Sequence, residues 1–217
     1  MTDANPHGLL SMRGHAELLR TIREGEREGG DDPQVARACA RAWCELARLR
    51  LVVDDDPPMA LAACAAALAA LPPEASRAPG DPRLPDSLRL QAHVERCVAR
   101  VAANDPDGAL ADGSRALVEL ARLRTVLPSE PYAEALSRLE RARAEALLLL
   151  GEPLFALEAA NTAQVLVADA SRPDLVLQGQ LAVLEARALE ALDEGVEARR
   201  IASDLSAAFS GSQLPHG

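Results

Sequence analysis

His93 and Cys97 stand four residues apart, which in a helix puts both on one face and is the least geometry that could hold a metal ion. Cys39 and Cys44 are five apart and point to different sides, and no Cys-x-x-Cys or His-Glu motif joins them. Cys39 shares its helical face with Trp43, as a packing residue does. With Cys64, the four cysteines read as reduced, buried thiols, and neither a metal nor a cofactor is expected. Of the four histidines, His7 and His216 lie near the ends, leaving His15 and His93 inside helical patterns. No Gly-x-Ser-x-Gly or phosphate-binding loop supplies a nucleophile with its base or cradles a phosphate. The run Asp54, Asp55, Asp56 sits where one helix ends and another begins, where acids serve as caps. No catalytic residues are assigned, and the chain is not expected to be an enzyme.

Charge narrows the partners. All 23 basic residues are Arg, against 33 acids, for a net charge of -10. No basic cluster is present to meet phosphates, which excludes a nucleic-acid binder. The longest uncharged stretch, Pro57 to Pro73, is mostly Ala and falls short of the ~20 strongly apolar residues of a membrane span. The start MTDANPHGLL lacks the basic-then-apolar run of a secretory signal, so a cytoplasmic protein is expected. Hydrophobic residues make up 48% and aromatics only 2%, the palette of closely packed helices rather than sheets.

The elements follow from periodicity and punctuation. Residues 1–32 hold a tail and an amphipathic helix from Leu9 to about Arg27, with Met12, Ala16, Leu19 and Ile22 on one face and a stop at Gly29-Gly30. Residues 33–209 then read as four helical hairpins, at about 33–71, 88–123, 132–169 and 175–209. A proline-rich connection from Pro72 to Ser87 separates the first two, and 210–217 is a tail. The clearest hairpin is Ala144 to Val167, whose elbow is Gly151-Glu152-Pro153. There Gly accepts a left-handed helix end, the acid suits a helix N-terminus and Pro fits a first turn.

That elbow recurs as Asp56-Pro57, Asp105-Pro106, Glu152-Pro153 and Glu194-Gly195. Each is followed at the same offset by Ala60, Ala109, Ala156 and Ala198, then eleven residues later by Leu71, Leu120, Val167 and Phe209. Seven residues after the first three alanines stand Ala67, Ala116 and Ala163; Leu205 takes that place in the fourth unit. Small residues recur where two helices approach closely and large ones where a gap is filled. In these columns the chain resembles the tetratricopeptide repeat family, with units longer than the ~34-residue standard, like the long variants of bacterial regulators. The resemblance implies an all-α, right-handed solenoid of about four hairpins plus an N-terminal helix, whose first helices line a concave groove for a partner protein or peptide. It implies groove positions at Glu45, Leu49, Glu95, Ala99, Arg138, Arg141, Glu145, Val183 and Arg187. Arg138, Arg141 and Arg187 would be the fork-shaped anchors for a carboxylate. The expected function is a protein–protein interaction module, an adaptor, assembly factor or chaperone. The alternative is a peptide- or ligand-sensing regulator without a DNA-binding domain of its own, with an all-α enzyme ranked third because no catalytic motif supports it.

Met59 to Leu71, MALAACAAALAAL, carries no charged, amide or hydroxyl side chain on any face. An outer helix normally shows water a polar side. Cover is therefore expected, either from the helix between Leu9 and Arg27 or from a second copy of the chain in a homodimer through 59–71.

Overall fold

Pro33, Pro57, Pro106 and Pro153 each open a helix directly after an acid, because a first-turn residue needs no backbone N–H donor and proline's φ is already helical. The computed structural model describes residues 6–28, 32–71, 85–169 and 174–211. Among them are nine helices: α1 (Pro6–Glu28), α2 (Pro33–Val52), α3 (Pro57–Ala70), α4 (Pro85–Ala102), α5 (Pro106–Leu123), α6 (Ser129–Leu149), α7 (Pro153–Ala168), α8 (Leu175–Ala191) and α9 (Gly195–Gly211). No described helix is long and apolar enough to cross a membrane. Several helices begin a few residues earlier than periodicity predicts, since the elbow prolines belong to the first turns. Pro131 likewise sits in the first turn of α6. The proline-rich connection lies outside the described residues apart from Pro85 to Ser87, which start α4, and the last six tail residues, 212–217, also lie outside them.

The four elbows share one backbone device. Asp55, Asn104, Gly151 and Asp193 all have positive φ, so each hairpin turns through one left-handed residue immediately before the acid. Gly takes that conformation freely, while Asn and Asp are the side chains that tolerate it best. In the last three elbows the acid's N–H bonds back five residues, Asp105 to Arg100, Glu152 to Leu147 and Glu194 to Leu189, at 2.8 to 2.9 Å. Asp56 and Asp105 also cap the helix that follows, accepting from Met59 N at 3.2 Å and Gly108 N at 3.0 Å. Glu152 makes no such side-chain bond.

The helices pack in sequential adjacent pairs, and α2, α4, α6 and α8 additionally touch in series. The repeated alanines explain how. Ala60, Ala109, Ala156 and Ala198 are all buried, as are Ala67, Ala116 and Ala163. The filling positions Leu71, Leu120 and Val167 are buried too; the Phe209 side chain lies outside the described set. The largest core patch joins α4, α5 and α6 through Leu90, Val94, Leu120, Leu123 and Leu139.

One expectation is corrected. The N-terminal helix does not cover the all-apolar helix: α1 packs on α2 alone, while α3 lies between α2 and α4. Ile22, Leu18 and Leu19 meet Ala42, Leu46 and Trp43 of α2. Gly25 is seated against Cys39, where any Cβ would collide with the thiol sulfur. The buried face of α3 (Ala60, Ala63, Cys64) meets Ala47 and Ala99. What stays open is Pro58 and Met59 at the start of the helix, Met59 being 49% exposed, together with Ala62, Ala65 and Ala69, whose single methyl groups expose little apolar area each. Because α1 packs on only one of the other described helices, Gly25→Ala is expected to loosen it by about 1 to 3 kcal/mol, the usual range for overpacking, without unfolding the rest. Hydrogen exchange would then speed up in α1 and stay unchanged in α4 to α7.

Candidate functional site

The positions expected to line a groove lie on α2, α4, α6 and α8, the helices that touch in series, but the structure divides them into two groups. The first group is closed by its own side chains. Glu95 is only 1% exposed. Its Oε1 accepts from Arg48 Nε at 3.2 Å and Nη2 at 2.9 Å, and from Arg138 Nη2 at 2.8 Å. One carboxylate of α4 thereby ties α2 to α6, and Arg138 is held against it. Glu45 is half-buried and accepts a long 3.4 Å bond from Gln91 of α4. Leu49 lies beside Gly14 of α1. Ala99 is packed in the core among α2 and α3 residues.

The second group comes together. Arg141 and Glu145 of α6 and Val183 and Arg187 of α8 line a hollow of about 600 Å³, with Val176 and Leu184 of α8 and Leu205 of α9 adding apolar wall. The volume is that of a small-ligand site. Arg141 Nη1 reaches Glu145 Oε2 only at 3.4 Å, the weak end of a charge-assisted bond. Burial holds the Arg141 guanidinium below its ordinary value, even with Glu145 beside it. Arg187 is exposed, and no described side chain pairs with it.

Arg48, Val176, Leu184 and Leu205 escaped the sequence reading, Leu184 although it stands next to Val183. Arg48 stands three residues after Glu45 and Val176 seven before Val183, so helical spacing alone could have found both. Leu205 had a different signal: it is the one large residue in a column otherwise occupied by alanine, and it reaches the rim of the hollow.

Several buried titratable groups outside the hollow are engaged within the fold. Asp112 of α5 is fully buried and accepts from Arg96 Nε at 2.8 Å, Arg100 Nε at 2.7 Å and Arg115 Nη1 at 2.8 Å. Burial alone would raise its carboxyl, but the hydrogen bonds and charge of those arginines outweigh it and hold the group below its ordinary value. His93 lies beside Arg96, and burial together with that cation lowers it to about 4, so it is neutral at pH 7. Its helical neighbour Cys97 is packed among Leu90, Val94 and Leu120, with burial and the charge of Asp112 raising the thiol to about 12. Cys44 is likewise pushed up to about 12 by burial and by Glu95. Thiols so placed are poor nucleophiles. Among the described residues no three His, Cys, Asp or Glu side chains gather as a metal site.

No protein-family model, curated protein or solved structure matches the chain. The hollow between α6 and α8 must be interpreted from its own chemistry. It offers two guanidinium groups and one carboxylate above an aliphatic floor, equipment for holding an anion attached to something apolar.

Proposed function

We propose that the chain is a right-handed helical-hairpin solenoid of tetratricopeptide-like type, acting as an interaction module that binds a partner protein or peptide along α2, α4, α6 and α8. One arrangement supports this above all: those four helices form a contiguous row, and four of the expected contact residues, Arg141, Glu145, Val183 and Arg187, gather around one hollow in it. A row of stacked helices held together by buried alanine seams leaves its outward side chains free to contact something else.

The test is native mass spectrometry of tagged protein isolated gently from its own host. A second polypeptide is expected on the wild-type chain. It should be lost, by at least tenfold in occupancy, on changing Arg141 and Arg187 together to Glu, because a repelled anion costs more than an unpaired one. A partner retained in full by the double variant would remove the hollow from the interface. The discreteness of the hollow favours a second reading, a ligand-sensing regulator. In that case the native species carries a small adduct instead of a polypeptide.

A further inference from the structure

We propose that the hollow between α6 and α8 binds a small amphipathic monocarboxylate, its head forked between Arg141 and Arg187 and its apolar body laid against Val176, Val183, Leu184 and Leu205. The inference rests on the hollow being the binding site and names what enters it.

Four observations lead to this class of ligand. The charge is local and net positive: Arg141 and Arg187 face a single Glu145 in the lining, so the hollow carries one net positive charge in a chain whose total is -10. One excess positive charge matches a monoanion. A dianion such as a phosphate monoester would bring its second charge against Glu145. The wall is aliphatic and wet when empty, with Val176 68% and Val183 49% exposed, so an apolar body gains by covering it. The hollow is also small: about 600 Å³ is the volume of a small-molecule site. Finally, the Arg141 guanidinium is desolvated and has only a 3.4 Å contact with Glu145, so a ligand carboxylate would supply the counter-charge it lacks.

The probe is decanoate, titrated calorimetrically into the intact chain below its micelle concentration, with acetate, decanol and decyl phosphate as controls. One site is expected for decanoate, with acetate too weak to detect and both decanol and decyl phosphate at least tenfold weaker. Arg187→Gln removes an exposed cation that pairs with no described side chain, so it should leave the thermal midpoint unchanged and weaken decanoate at least tenfold. Val183→Asp puts an anion in the apolar wall and should abolish binding. Failure of decanoate to bind, equal binding of decanol, or affinity unaltered by both substitutions would each overturn the proposal. A peptide ending in Leu that binds more tightly than decanoate and shows the same dependence on Arg187 would also overturn it, while leaving the interaction-module proposal standing. Decanoate binding by a chain that captures no polypeptide from its host would do the reverse.

Discussion

Asp112→Asn is expected to destabilise the protein by about 3 kcal/mol at pH 7. The carboxylate is wholly buried and neutralises three guanidinium groups at once, from Arg96 and Arg100 on α4 and Arg115 on α5. Removing one member of a buried ion cluster leaves the others desolvated without compensation, which costs far more than the intact cluster contributes. The figure sits at the low end of the usual range because two arginines have an escape. Arg115 is 59% exposed and can turn to water, and Arg100 keeps its pairing with Asp105. Arg96, 17% exposed, is the one left stranded. Urea unfolding at a series of pH values would measure this. A carboxyl whose folded pKa lies below its ordinary value of 3.8 contributes stability that is fully present above that value and is lost as pH falls through the folded one. The difference between wild type and Asp112→Asn should therefore be constant from pH 7 to pH 5 and shrink below pH 3.8. A difference that persisted undiminished at pH 2 would mean that packing, not charge, was lost.

Glu95→Gln should cost about 2 kcal/mol, or roughly 4 to 8 °C in thermal midpoint for a domain of this size. The glutamine oxygen can still accept one hydrogen bond. The charge that holds Arg48 and Arg138 together is gone, however, and those arginines are 40% and 25% exposed, so each can partly rehydrate. That exposure separates this case from Asp112. The substitution should also release Arg138, which stands one helical turn before Arg141, to join the cations at the hollow. Decanoate should then bind more tightly to Glu95→Gln than to wild type despite the lower stability. Unchanged affinity would show that Arg138 cannot reach the hollow from α6.

These two carboxylates mark the boundary of what sequence reasoning reached. Glu95 stood among the expected partner contacts because its spacing puts it on the same kind of helix face as Arg141 and Arg187. Its burial depends on two arginines 47 and 43 residues away, and that distance is closed only when α2, α4 and α6 lie side by side in one particular register. Asp112, a charged residue inside an apolar pattern, drew no expectation for the same reason: two of its three partners, Arg96 and Arg100, meet it only across the α4–α5 contact. Position on a helix face says which residues are available for contact. Whether each is used inside the protein or left for a ligand is settled by neighbours remote in sequence.

What the sequence by itself determined is the class and the phrasing of the chain. The all-helical composition, the hairpin elbows and the alanine columns at 60, 109, 156 and 198 all arise from interactions within a few residues, namely helical periodicity, capping and the steric demand of a close seam. Only the tertiary structure decided that α1 docks on α2 and not on α3, that Asp55, Asn104 and Asp193 do the left-handed work that Gly151 announces openly, and that Arg138 is bound to Glu95 while Arg187 pairs with no described side chain. Those outcomes depend on lateral register between helices. A shift of one helical turn would exchange one arginine for another at nearly the same local cost, so nothing in the local pattern distinguishes them.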